Sequence, residues 1–219
     1  MADYLPVMIS VDHPYPEIEK WIADRFEALN GTELFIVRRD MLPADALVGH
    51  LGWSKAWLWD VVPKTTQRIL FIDFDVIPLR PLPEIPDAPF VAAPDAQWFV
   101  DKMRMMYPAL DKAKHTFNSG FFVARRDTQP CFDQLKTFTV RVGQTEPYIL
   151  AGDQTPLNIL IASSFDIHWL PATFNCLAHT NYKEVSEAYL LHLPGMPNPA
   201  RWSTMHLLRA ILGINLIDG

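Results

Sequence analysis

The chain has little cysteine: Cys131 and Cys176 are the only two in 219 residues. Two such thiols make neither a disulfide framework nor a CxxC pair for zinc or redox work. Two buried thiols in a reducing, cytoplasmic compartment are the expectation. Positive charge is also short. Lys and Arg number 19 against 25 Asp and Glu, and the net charge of -6 argues against general binding of nucleic acid, which needs a basic surface. No apolar run approaches the roughly 18 residues of a membrane span. The N-terminal MADYLPVMISVDHPYP lacks the basic flank and long apolar segment of a signal peptide. Charge blocks and low-complexity runs are missing too, so no disordered tail is expected. Glycine is scarce, 9 against 19 prolines, which points to stiff turns between short elements.

What is present is material for a core: 49% of the residues are apolar, enough for one domain over residues 1–219. Val7 to Val11 reads as a strand broken by Pro14 and Pro16. Ile18, Trp21, Ile22, Phe26 and Leu29 recur at helical spacing up to Asn30-Gly31. Leu34 to Val37, Arg68 to Ile72, Phe90 to Ala93, Phe117 to Arg125, Ile167 to Leu170 and Tyr189 to Leu193 read as strands. Helices are expected over Lys55 to Val62 with Ser54 as N-cap, around Phe132 to Phe138, and over Pro156 to Ala162. Residues 97–115 read as an excursion over one face, and HLLRAILGINLI near the C-terminus as a helix packed on its own domain. Alternating strands and helices imply an α/β fold with parallel strands at the centre of its sheet.

One stretch raises a physical problem. RILFIDFDVIPLRPL, Arg68 to Leu82, carries Asp73 and Asp75 at alternate positions where an apolar strand ends. Alternate strand residues share a face roughly 6.5 Å apart. Two carboxylates there repel each other unless one is protonated or a cation compensates them. Ligands of open α/β sheets gather at this edge, and a hard divalent cation with room for phosphate oxygens would suit the pair. Solvated turn residues are the plain alternative. In LLHLPG, His192 closes another apolar strand beside Pro194-Gly195. Imidazole with two carboxylates suits Mn²⁺. FNSGFFVARRD sets Asn118, Ser119 and Gly120 inside an apolar strand, and such a glycine marks close approach of a ligand or backbone. GDQTPLNILI sets Asp153, a good N-cap, and Gln154 just before a helix.

RILFIDFDVIPL, APD, FNSGFFV, GDQTPLN, LPATFN and LLHLPG stand in the order and approximate spacing of glycosyltransferase family 8, and residues 50–202 most resemble its glycogenin-like and lipopolysaccharide galactosyl- or glucosyltransferase members. The resemblance implies a GT-A, Rossmann-like α/β fold with a mixed, mainly parallel central sheet, a nucleotide-binding part to about residue 95 and an acceptor and sugar part beyond it. It implies a retaining hexosyltransferase that uses a UDP-sugar, UDP-glucose or UDP-galactose, with Mn²⁺ or Mg²⁺. By this likeness Asp73, Asp75 and His192 match the metal ligands, with Phe74 between the acids at the donor. Lys55 matches a basic donor contact, Asp95 an acid near the donor sugar, and Asn118 and Ser119 the strand lining the sugar pocket. Asp153 and Gln154 match the pair beneath the anomeric carbon, and Gly195 the glycine of an HxxGxxK loop over the diphosphate.

The chain departs from that pattern twice. Position 198 is Asn where the loop lysine is expected, and Arg201 is the nearest replacement. Only one strand–helix unit and the ELFIVRRDM strand precede Lys55, so either Ser10, Asp12 and Tyr15 read the nucleoside or base recognition is reduced. These departures keep open a non-catalytic nucleotide-sugar binder of the same fold. FIDFDVIP also fits the first motif of haloacid-dehalogenase-like phosphatases, in which the first Asp is the nucleophile, but the late acidic pair of that family is absent. The acceptor, whether glycan, protein or lipid-linked sugar, is not written in the chain, although residues 97–115 are expected to face it.

Overall fold

A computed structural model describes residues 3–11, 15–47, 51–110, 115–142, 152–194 and 198–214. In chain order the elements are β1 (Leu5–Ile9), α1 (Pro16–Asn30), β2 (Phe35–Val37), α2 (Leu58–Val61), β3 (Arg68–Ile72), β4 (Val76–Pro78), β5 (Phe90–Pro94), α3 (Gln97–Met106), β6 (Phe117–Arg125), α4 (Gln129–Val142), α5 (Gln154–Ser164), β7 (Ile167–Trp169), β8 (Cys176–Leu177), β9 (Leu190–His192) and α6 (Asn198–Ile214).

Six strands form the main sheet in the order β2-β1-β3-β6-β5-β7. β1 is parallel to β2 and β3, and β5 is parallel to β7. Only β6 runs against its neighbours, β3 and β5. The sheet is therefore mixed and mainly parallel, as the family resemblance implies, but antiparallel β6 lies at its centre, where the alternation of elements implies parallel strands. The antiparallel strand sits in the middle because the chain leaves β5 at one edge, passes through α3, and enters β6 at that same edge. This reversal matters for function: the start of β6, carrying Asn118 and Ser119, lies beside the end of β3. Asp73 N–H donates to Gly120 O (2.9 Å), and Asp95 N–H to Thr116 O (2.7 Å).

Both sheet faces are covered, which is why β3 is apolar from Ile69 on and buried at every residue. Ile69, Phe71, Phe122 and Ala124 face a cluster with the tryptophan-rich segment around Trp53–Trp59, α4 and α5. Phe122 stacks on Phe71 and Phe90 with ring centroids 5.0 and 5.3 Å away. Leu70, Ile72, Phe121 and Val123 face α1, the second sheet and Met205 of α6. Burial of each such side chain contributes about 1.5–3 kcal/mol. The second sheet, β4-β9-β8, pairs β4 antiparallel and β8 parallel with β9.

Several local readings change. Lys55 lies on a 3₁₀ turn, Leu51–Trp57, that runs into the short α2, so no single helix spans Lys55 to Val62. Ser54 is inside that turn and is no N-cap; its buried hydroxyl donates to Ala46 O (2.9 Å). Residues 97–106 form a helix, not an irregular excursion. It buries Val100 and Met103 and leaves Trp98, Met105 and Met106 exposed. α6 docks on α1 through Tyr15 and His206, whose rings meet edge to face at 5.1 Å. Among the described residues no helix is long and apolar enough to cross a membrane.

α5 is tied to β6 by one side chain. Asn158 Nδ2 donates to Phe117 O (2.9 Å) and Gln154 O (2.8 Å), and Asn158 Oδ1 accepts from Phe117 N–H (2.9 Å). Replacing Asn158 with Ala leaves buried backbone groups without partners, at about 1–3 kcal/mol each. Urea unfolding of Asn158→Ala should show a loss of at least about 2 kcal/mol. Wild-type stability would remove Asn158 as the link that seats α5.

Candidate functional site

The two aspartates do not extend the strand. β3 ends at Ile72, and Asp73-Phe74-Asp75 make a tight turn closed by Val76 N–H to Asp73 O (3.0 Å) before β4 begins. The strand-face reading of the pair is thus corrected: a turn, not a period of two, brings the carboxylates together. The turn also hands the chain from the main sheet to the second sheet. There β9 lies against β4 with His192 opposite Val76, and Leu193 N–H donates to Asp75 O (3.1 Å). One ligand atom each from Asp73, Asp75 and His192 lie within 4.8 Å of one another.

Each carboxylate has a different partner. Lys55 Nζ is 3.1 Å from Asp73 Oδ2, 3.1 Å from Asp153 Oδ2 and 3.1 Å from Ser119 Oγ. An ammonium has three N–H donors, and these three oxygens take them all. Burial alone would lower the Lys55 pKa, but Asp153 and Asp73 outweigh it and push it up to about 12. Asp73 must share that ammonium. Its own carboxyl is pushed up, first by burial and then by Asp75 and Asp153, against the pull of Lys55 and His192. The upward shift of both partners follows from one cation serving two buried carboxylates.

Asp75 moves the other way. Burial works against its ionisation, but His192 and Arg201 hold the carboxyl below its usual range. His192 Nε2 is 3.2 Å from Asp75 Oδ1. Arg201, in the first turn of α6, brings Nε to 3.3 Å from Asp75 Oδ2, an ion pair without the alignment of a hydrogen bond. Its guanidinium lies over the Phe74 ring, 5.8 Å from the centroid.

The second half of the site begins at Gly152, whose positive φ of 51° turns the chain into α5. Asp153 makes no side-chain cap, so the capping role is corrected too. Its Oδ2 accepts instead from Ser119 Oγ (2.9 Å) and faces Lys55. Gln154 is fastened at both ends. Its Oε1 accepts from Ser119 N–H (3.2 Å), and its Nε2 donates to Asp95 Oδ2 (2.6 Å). Burial raises the pKa of Asp95, partly offset by bonds from Ala96 N–H and Gln154.

The fold thus brings Lys55, Asp73, Phe74, Asp75, Asp95, Ser119, Asp153, Gln154, His192 and Arg201 into one connected cluster. Ser10 stands at the end of β1. Its buried hydroxyl has no hydrogen-bond partner among the described residues, while its N–H donates to Val37 O (3.0 Å). Asp12 and Gly195 lie outside the described residues. Tyr15 packs on His206.

Two features carry more weight than sequence reading gave them. A Cβ on Gly120 would lie 2.1 Å from His192 Cε1, so the close approach at this glycine is that of the imidazole. Asn175, in LPATFN, places Oδ1 3.0 Å from His192 Nδ1. The order of motifs could have drawn attention to Asn175, but nothing local in LPATFN shows what it touches.

The donor set fits a hard divalent cation: two carboxylates and one imidazole, with their ligand atoms close together. The charge balance agrees. Asp73, Asp75 and Asp153 face two fixed cations, Lys55 and Arg201, so the cluster is short of positive charge even before Asp95 is counted.

Comparison with known proteins supplies the context. No curated protein sequence matches the chain. Solved structures do. A glycosyltransferase involved in glycosylation of the major capsid of the virus PBCV-1 is 13% identical with a TM-score of 0.61, covering 93% of this chain and 99% of that one. An active-site mutant of LgtC, with a glutamine changed to glutamate, is 16% identical with a TM-score of 0.63 and 87% coverage of both chains. Mouse xyloside xylosyltransferase 1 is 14% identical with a TM-score of 0.53, covering 90% of this chain and all of that one. At such identities these likenesses speak for the fold, which is that of the GT-A glycosyltransferases. The description of glycosyl transferase family 8 matches residues 14–209, nearly the whole chain, and the protein belongs to that family.

Proposed function

We propose that this glycosyltransferase is a retaining hexosyltransferase that takes its sugar from a UDP-hexose and requires a divalent cation, Mn²⁺ or Mg²⁺. The observation that carries this reading is the cluster of Asp73, Asp75 and His192, joined through Lys55 and Ser119 to Asp153 and Gln154, on a family 8 fold. A cation held by Asp73, Asp75 and His192 would stabilise the negative charge that develops on the leaving diphosphate.

The chain's own residues divide the remaining work. Lys55 sets one positive charge between Asp73 and Asp153 and positions Ser119. Arg201 sets a positive charge beside the acidic turn, where the family's loop lysine is replaced by Asn198. Ser10, buried with a hydroxyl in need of a partner, would meet the nucleoside. Asp95 and Asp153 would hold sugar hydroxyls. Asp153 shares one oxygen between Ser119 Oγ and Lys55, which makes it a poor nucleophile and favours a front-face reaction. In that reaction the bond from the anomeric carbon to the phosphate oxygen breaks, and the acceptor oxygen bonds on the same face. The acceptor's proton passes to the leaving diphosphate. Gln154, its amide orientation fixed by Ser119 N–H, would turn the other lone pair of Oε1 toward the positive charge on the sugar. A glutamine is likewise the residue altered in the LgtC active-site mutant, and LgtC itself was crystallised with donor and acceptor sugar analogues. α3 packs Met103 against Thr155, next to Gln154 (Sδ to Oγ1, 3.2 Å), and would meet an acceptor there.

The deciding experiment is a panel of nucleotide-sugars assayed by mass spectrometry with Mn²⁺ and with EDTA. Transfer or slow hydrolysis of a UDP-hexose that EDTA stops is expected. NMR of the first product should show an α linkage from the α donor. UDP bound with Mn²⁺ but never turned over would favour a non-catalytic binder, and a β product would refute retention.

Arg201 gives a separate test. Arg201→Ala should weaken UDP binding in the presence of Mn²⁺ by about 1–3 kcal/mol, the scale of a hydrogen bond to a charged group. Calorimetry showing wild-type affinity would take Arg201 out of the donor site.

A further inference from the structure

Asn175 ends the 3₁₀ turn Ala172–Asn175 and is buried beneath His192. The oxygen and nitrogen of a side-chain amide look alike, so its orientation must be read from its partners. Here the reading starts at a group that cannot be reversed. Gly120 N–H is a backbone donor, and it donates to Asn118 Oδ1 (3.0 Å), which is therefore the carbonyl oxygen. The Asn175 atom 3.2 Å from that oxygen must be a donor, Nδ2. The other Asn175 atom is then Oδ1, an acceptor, and it lies 3.0 Å from His192 Nδ1. Two acceptors do not meet at that distance without a proton between them, so Nδ1 carries the proton. Nε2 is left as the nitrogen that can turn a lone pair to a cation; it lies 3.2 Å from Asp75 Oδ1, where without a cation the same rule puts a proton between the two. On another side the ring lies against Gly120, where no Cβ would fit.

We propose that Gly120, Asn118 and Asn175 form a relay that fixes the tautomer and direction of His192, aiming the Nε2 lone pair at the cation site it shares with Asp73 and Asp75. The relay rests on the reading of those three side chains as a cation site. Asn175 is a positioning residue: it acts through the ring of His192, as outer partners of metal-bound histidines do. Asn118, matched by its motif to the sugar pocket, has a fixed task for its Oδ1 inside the protein.

Two variants separate hydrogen bonding from packing. Asn175→Leu keeps most of the volume and removes the acceptor, while Asn175→Asp keeps an acceptor for Nδ1–H. Titration with Mn²⁺ alone, followed by the EPR signal of the free ion, should show affinity falling about 10- to 100-fold in Asn175→Leu and largely kept in Asn175→Asp. Wild-type affinity in the Leu variant, or equal losses in both, would overturn the relay. A wild-type protein that fails to bind Mn²⁺ would count against the cation site instead. The relay is then decided by long-range ¹H–¹⁵N correlation on ¹⁵N-histidine protein. A proton on Nδ1 is expected with or without Mn²⁺, and an Nδ1 that carries no proton would refute the relay.

Discussion

The site depends on one buried ammonium. Lys55 touches Asp73, Asp153 and Ser119, and each belongs to a different part of the chain: the turn after β3, the entry to α5, and the start of β6. Buried carboxylates without compensation would be protonated or would unfold the edge of the sheet. A lysine shared between two of them and the Ser119 hydroxyl holds the turn, the helix and the strand in one arrangement. Its position follows from the tryptophan-rich segment, where Trp53, Trp57 and Trp59 are buried against the sheet and carry Lys55 in with them.

From that ammonium two arms extend. One runs from Ser119 and Asp153 to Gln154 and Asp95, a rigid polar rim on which each amide and hydroxyl has a fixed direction. The other runs through the acidic turn to Asp75, His192 and Arg201, where the second sheet meets the first. The antiparallel β6 makes the meeting possible, because its first residues and the last residues of β3 and β5 share one edge. The short second sheet then has a clear purpose: β4 and β9 set His192 beside the turn.

Much of this was legible in the chain. The apolar runs Ile69–Ile72 and Phe121–Ala124 mark β3 and β6, since both runs are buried on both faces of the sheet. The carboxylates in FIDFD and the polar residues in FNSGFF broke such runs, and those breaks marked the site. Other features depended on distant partners. Asp153 sits where a cap would sit, yet Lys55 and Ser119 compete for its carboxylate and win. Ser54 had the local sequence of a cap but lies inside a 3₁₀ turn. The glycine of FNSGFF announced a close approach, but only the packing of β9 shows that the approaching group is an imidazole. α3 escaped notice as a helix because its pattern buries only Val100 and Met103 and leaves methionines and a tryptophan outside.

The central claim is that Asp73, Asp75 and His192 hold a cation at this edge of the sheet. Crystals grown with Mn²⁺ and UDP, measured at a wavelength where manganese scatters anomalously, test it directly. One strong anomalous peak in bonding contact with both aspartates and His192 Nε2, with the diphosphate on its open side, is expected. A peak bound elsewhere, or UDP bound with no peak at this position, would contradict it.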